Sequence, residues 1–257
     1  MKIYGPVPSW RLGNSLGVDL VEAPKNYSKI CSYNCIYCQL GYNGFKVNRP
    51  RKFGINEKDF ILLRKKIKET RPDYVTFSGE GEPTINLDLG YVATRIKQMT
   101  DIPIAVLTNS SLMHDPQVRK ELGLADLVVA KLDAPNEEIF KLVNRPTSGI
   151  YLRVIIEGIK KFNNEYPGKL ALQIMFVPQN KDYAADLAAL AKEIKPVEVE
   201  VNTPLRPCPV KPLPPKELAE IKKLFEPLKV YSVYDVERPE TKPMDERETR
   251  KRRPERR

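Results

Sequence analysis

Residues 30–41 read ICSYNCIYCQLG and hold three of the four cysteines in a chain of 257 residues. The spacing over Cys31, Cys35 and Cys38 is C-x3-C-x2-C. Three thiolates are one short of the tetrahedral set that a structural zinc takes, and an odd number cannot pair off as disulfides. The N-terminal MKIYGPVPSW has no apolar stretch that would serve as a secretion signal, and in a cytoplasmic protein clustered cysteines point to metal or catalysis first. The residues leave several completions open. Zinc would need Cys208 or His114, the single histidine, as its fourth ligand. A [4Fe–4S] cluster would take Cys31, Cys35 and Cys38 on three irons and leave the fourth iron open. A three-iron centre or a plain electron-transfer cluster also fits three thiols.

Working outward, the loop is embedded in alternating strand and helix patterns. Strand candidates are 15–21, 73–78, 102–108, 125–132, 170–177 and 197–202, several of them nearly continuous in Val, Ile, Leu and Phe. Such runs mark strands covered on both faces of a parallel sheet. Asn56 is placed to cap a helix over 57–69, with Phe60, Leu63 and Ile67 on one stripe. Further helices are expected over 87–99, 115–122, 149–164, 182–194 and 215–226. Six β-α units make a parallel α/β architecture. They fall short of the eight strands of a closed barrel, so periodicity admits either an open partial barrel or a doubly wound sheet.

Residues 1–236 are read as one domain ending in a short helix-strand extension, which the proline-dense segment 203–217 leads into. Residues 237–257 carry nine Lys/Arg and six Asp/Glu with almost no hydrophobic content, and a disordered basic tail is expected there. The net charge is +10. A basic body could bind a polyanion such as RNA, or simply carry a solvated Lys-rich surface. No run approaches the roughly 18 to 20 apolar residues of a membrane span, so a cytoplasmic protein is expected.

Other polar residues gather at the expected strand ends. FSGEGEPTIN (77–86) offers Gly79 and Gly81 for close backbone approach and Glu80 and Glu82 as carboxylates. LTNSSL (107–112) offers Thr108, Asn109 and Ser110, and helix capping is the alternative use of each. In AKLDAP (130–135) Lys131 and Asp133 alternate with apolar neighbours, so both are expected to point inward, with Asp133 the better candidate to meet a polar cofactor. Gln173 is expected inward and Met175 on the opposite face. Cys208, just beyond the sixth strand, is a candidate hydrogen-atom donor or a merely tolerated thiol. After the cluster takes three cysteines, this one cannot hold a second cluster.

The C-x3-C-x2-C spacing, with Tyr37 directly before Cys38, resembles the signature of the radical S-adenosylmethionine (SAM) superfamily. That resemblance implies a partial (β/α)6 barrel and one [4Fe–4S] cluster whose open iron is chelated by SAM. It implies reductive cleavage of SAM to a 5′-deoxyadenosyl radical that abstracts hydrogen from a substrate, with a low-potential ferredoxin or flavodoxin as electron donor. Carried over residue by residue, Gly79, Glu80, Gly81, Glu82 and Pro83 correspond to a Gly-Gly-Glu-Pro-like segment that binds the amino group of SAM, with Glu80 departing from the second glycine. Thr108, Asn109 and Ser110 would meet its ribose or carboxylate, and Val177 and Asn202 its adenine. Segments 4–20, 35–41, 77–84 and 144–149 together resemble a largely uncharacterised family of radical-SAM iron–sulfur oxidoreductases, distantly related to the enzymes that build the wybutosine base in tRNA. The resemblance runs over roughly residues 3–235. Together with the basic charge, that distant relationship points to a tRNA or other RNA nucleoside as substrate, and Arg11 and Arg145, which lie in family-marking segments, are candidates to grip a phosphate or carboxylate. The alternative from a different class is a zinc-dependent RNA-binding module without catalysis.

Overall fold

Six runs, several of them nearly continuous in apolar residues and one, VEVEVN, alternating, become six parallel strands of one sheet. In the computed structural model, which describes residues 1–254, they are β2 (Gly13–Asp19), β5 (Tyr74–Phe77), β6 (Ile104–Thr108), β7 (Leu127–Lys131), β8 (Leu170–Met175) and β9 (Glu198–Asn202). An antiparallel edge strand, β1 (Lys2–Ser9), precedes them, and β10 (Val230–Ser232) adds in parallel to β9. The order is β1-β2-β5-β6-β7-β8-β9-β10, and the two end strands do not pair with each other, so the barrel stays open. At one level Phe77, Val106, Val128 and Leu170 are partners across four neighbouring strands, each with no exposure. Burying a side chain of this size contributes roughly 1.5–3 kcal/mol.

Helices α1 (Glu57–Thr70), α2 (Leu89–Lys97), α3 (Pro116–Leu122), α4 (Glu137–Val143), α5 (Leu152–Glu165), α6 (Ala184–Ile194) and α7 (Pro215–Lys223) form the crossovers and the C-terminal extension. Helix α1 starts where the sequence places its cap. The Asn56 side chain accepts from Asp59 N (3.3 Å), the Asp59 carboxylate accepts from Asn56 N (3.0 Å), and Phe60, Leu63 and Ile67 are the buried stripe. Among the described residues no helix is long and apolar enough to cross a membrane.

Strand β1 escapes a pattern search because its run, KIYGPVPS, contains Pro6 and Pro8. Proline cannot donate to a ladder and is confined to sheet edges, and the register shifts between Tyr4 and Val7 to accommodate it. The cysteine loop is not joined directly to β2. It leaves from a small separate ladder of β3 (Lys29–Cys31) and β4 (Gly44–Lys46).

The basic tail corrects the expectation of disorder. Residues 246–252 form helix α8 (Glu246–Arg252), which packs on β1. Met244 N donates to Gly5 O (2.8 Å), and Gly5 N donates to Thr249 Oγ1 (3.0 Å). Arg252 is 2% exposed, with its Nε 2.7 Å from Asp19 Oδ2 and its Nη2 3.2 Å from Glu80 Oε1. Composition misses this because the segment docks through ion pairs and hydrogen bonds, not apolar surface. Residues 255–257 of the expected tail lie outside the described residues.

Candidate active site at the C-terminal edge of the sheet

The cysteine loop is laid against the ends of β5 and β6 by backbone pairing. Ile30 N donates to Glu80 O (2.9 Å) and Glu82 N to Ile30 O (3.1 Å). A Cβ on Gly81 would stand 1.8 Å from the Ile30 carbonyl, so glycine is required there for the loop to dock. Likewise a Cβ on Gly79 would meet the Asp19 carboxylate at 2.0 Å. The close approach read from these glycines is thus an approach by the chain itself. Beyond that bridge, Ile36 N donates to Val143 O (2.9 Å), and Ile36 and Tyr37 are buried.

Glu82 fastens the loop-bearing end of β5 to β6. Its carboxylate accepts from Thr84 N (3.1 Å), Thr84 Oγ1 (2.7 Å), Thr108 Oγ1 (2.7 Å) and Asn109 N (2.6 Å). Burial pushes its pKa up, and these donors act in the opposite direction. Glu80, two residues earlier, turns instead to the C-terminal Lys251 and Arg252. Asn109 reaches back to the loop, its Nδ2 donating to Ser32 Oγ (2.8 Å) and standing 3.3 Å from Cys31 Sγ.

Asp133 is fully buried beneath the loop. It accepts from Tyr37 Oη, from Asn144 Nδ2 (2.7 Å) and from Met175 N (2.8 Å). Asn144 Nδ2 also lies 3.6 Å from Cys35 Sγ. Asp133 therefore fixes the two groups flanking Cys35 and does not line the cavity.

Above the sheet opens a cavity of about 330 Å³, lined by Cys31, Cys35 and Cys38 together with Gly79, Gly81, Glu82, Thr108, Asn109, Asn202 and Arg11. Those are the expected site residues that the fold brings together. The others lie elsewhere. Pro83 opens a buried 3-10 turn, Ser110 Oγ donates to Lys131 O (3.1 Å), and Val177 is buried with its N–H on Asn180 Oδ1 (2.8 Å). Arg145 stacks over Tyr42, 5.4 Å from its ring centre. Cys208 Sγ donates to Val210 O (3.2 Å), and His114 lines a separate surface cleft beside Arg153 and Glu157. Met175 lines the cavity together with Gln173, as the two-residue period of a strand requires and contrary to the expected opposite face.

Four polar residues at or beside the cavity are not singled out by the sequence reading. Glu200 in β9 is 1% exposed and binds Arg11 Nη1 (3.0 Å) and Gln173 Nε2 (2.9 Å) beneath the cavity wall. In VEVEVN it is indistinguishable by pattern from Glu198, which shares its face at the start of the strand and pairs with Lys229 (3.2 Å). Asp19, 1% exposed, accepts from Glu80 N (3.0 Å) and has its pKa pushed up to about 6 by burial. Arg238 and Arg253, from the segment read as a tail, also line the cavity.

The donor set suits an iron–sulfur cluster. Burial pushes the partly exposed Cys31 up to about 12 and Cys35 up to about 11, so a bound metal charge would favour their thiolates. Three donors are aimed at sulfur: Tyr33 N and Asn109 Nδ2 at Cys31, 3.5 and 3.3 Å away, and Asn144 Nδ2 at Cys35. Among the described residues no three Cys, His, Asp or Glu side chains converge on one ion-sized point. Thiols spread around a wall suit a centre that takes each on a different iron.

Comparison with known proteins agrees. Residues 26–228 match the family description of the radical SAM superfamily. The chain is 39% identical over 209 residues to a UPF0026 protein of Synechocystis, covering 81% of this chain and 77% of that one. It is 36% identical over 232 residues to a Brachyspira hyodysenteriae protein named GTPase Obg, covering 88% of this chain but only 33% of that protein. The one Gly-Lys pair here, Gly168–Lys169, is followed by Leu170, so no phosphate loop of the G-x4-G-K-[ST] type accompanies that likeness. In fold, the chain is similar to the Streptococcus suis SuiB structure bound to S-adenosylmethionine, with a TM-score of 0.62 at 17% identity, over 86% of this chain and 50% of that one. On its family match, its relatives and its three-thiol loop, this chain belongs to the radical SAM superfamily of enzymes.

Proposed function

We propose that the protein is a radical SAM enzyme with a single [4Fe–4S] cluster held by Cys31, Cys35 and Cys38, acting on an RNA nucleoside, with tRNA as the leading candidate. The observation that carries this reading is the placement of all three thiols on the wall of one cavity at the C-terminal edge of parallel strands, the edge at which such folds build active sites. When bound, the cluster supplies the electron that cleaves SAM to a 5′-deoxyadenosyl radical able to take hydrogen from substrate. The chain's part is to orient and to exclude water.

Gly79 and Gly81 line the cavity, and among the described residues their carbonyls accept no hydrogen bond. They are available to an ammonium such as the amino group of SAM. The Glu82 carboxylate, taken by four donors, acts by holding that segment in place. The reductant would be a low-potential ferredoxin or flavodoxin, and the net charge of +10 supports a polyanionic substrate. The zinc-module reading needs a fourth ligand, and both Cys208 and His114 lie off the cavity wall.

The test is anaerobic reconstitution with iron and sulfide, then dithionite and SAM, reading 5′-deoxyadenosine for the wild type and Cys35→Ala. Deoxyadenosine from the wild type alone, with iron lost from the variant, is the expected result. A colourless protein holding one zinc and leaving SAM intact would sink the reading.

A further inference from the structure

We infer that the C-terminal segment builds an anion subsite at the cavity, with Arg238 and Arg253 as its working groups, and that the substrate carries a phosphate which docks there. The inference rests on the cavity being the reaction site. Five cationic side chains line it, against one carboxylate. That carboxylate, Glu82, is already saturated, and two of the cations are offset locally. Arg11 pairs with Glu200 (3.0 Å), and Lys131 lies 3.5 Å from Asp133. Arg238 and Arg253 have no carboxylate partner among the described residues. Arg253 lies over the Tyr4 ring, 5.7 Å from its centre, with Nη1 on Arg252 O (2.9 Å). Charge left uncompensated on a concave wall attracts an anion, and the planar guanidinium fork matches phosphate geometry.

The segment is anchored as a wall would be. The ion pairs of Arg252 with Asp19 and Glu80 fix one end, and Gln39, next to Cys38, donates to Arg252 O (2.7 Å). Arg206, from the loop after β9, donates to Pro254 O (3.4 Å) and lines the same cavity. Arg253 therefore stands beside the cysteine loop, and two remote stretches of sequence bring arginines onto the wall of one cavity.

The experiment uses reconstituted full-length protein, with inorganic phosphate and a short single-stranded RNA as separate titrants followed by calorimetry. The variants are the double change Arg238→Ala with Arg253→Ala, and a control, Arg247→Ala with Arg250→Ala, which removes the same charge from tail residues that do not line the cavity. The expected result is that the first pair weakens binding of the titrant at least about tenfold, while the control leaves it near wild type. Equal weakening by both pairs, or no binding of either titrant to the wild type, would overturn the subsite. RNA binding that is far tighter than phosphate and steeply salt-dependent assigns the phosphate to a polynucleotide, whereas comparable binding assigns it to a small metabolite. Iron content and SAM binding are read on the same samples. Arginine-dependent phosphate binding in a protein that takes up no iron would retain the subsite and discard the radical SAM chemistry.

Discussion

The cysteine loop and the C-terminal segment are both irregular stretches laid on the same end of the sheet, and they are held by opposite means. The loop is anchored by apolar and aromatic side chains, with Ile30, Tyr33, Ile36 and Tyr37 all buried, and by backbone pairing to the glycine-acid segment after β5. Helix α8 buries only Thr249 and Arg252 and is fixed by a guanidinium between two carboxylates. Apolar anchoring adds stability. A buried ion pair mostly offsets its own desolvation and fixes position instead, and the raised pKa of Asp19, despite Arg252 beside it, says that burial wins here.

That contrast breaks most visibly at Arg252. Replacing it with Met leaves Asp19 buried without its cation, and a loss of about 3–5 kcal/mol is expected. Truncation after Pro243 opens Asp19 and Glu80 to water, so it is expected to cost less than the single substitution. Urea unfolding of both decides it, and a truncation that costs more would mean that the segment docks for stability after all.

A related effect follows from pH. The folded-state pKa of Asp19, about 6, lies above its unfolded value of 3.8. The native state therefore binds the proton more tightly, so the contribution of this group is most favourable below 3.8 and is lost as pH rises through about 6. Relative to Asp19→Asn, the wild type is expected to lose about 3 kcal/mol across that window. An advantage that grows with pH would show the carboxylate to be stabilised by its pair.

On the loop, the neighbouring tyrosines sharpen the comparison. Tyr37 donates to the buried Asp133, and Tyr37→Phe is expected to lower stability by about 2 kcal/mol. Tyr33 packs edge-on against Phe140 at 5.3 Å, and its buried hydroxyl has no partner among the described residues. Tyr33→Phe is expected to be neutral or to stabilise by up to about 1 kcal/mol, because it removes a group that is desolvated without return. Thermal melts of the two variants should shift in opposite directions, or only for Tyr37.

Much of this molecule is legible in its sequence. The capped helix α1 follows from its Asn56 start, and most of the parallel strands from nearly continuous apolar runs, because strands covered on both faces favour apolar residues at successive positions; the alternating VEVEVN is the exception. The three thiols are legible for a different reason: short spacing forces them onto one loop wherever the chain goes. Asp133 reads as an inward candidate for a polar cofactor, yet it lies beneath the loop, off the cavity wall, and its partners Asn144 and Met175 come from other elements, so its task of positioning the loop is hidden in the sequence. Glu82 and Glu80 look alike in GEGEP and part company only because one meets β6 and the other meets α8.

The sequence by itself determined the parallel α/β core and the three-thiol loop, since both depend on local periodicity or local spacing. Only the tertiary structure decided that the basic C-terminus is a wall of the cavity. Asp19 and Arg252 are 233 residues apart, and a charge pair at that separation leaves no periodic trace in either segment.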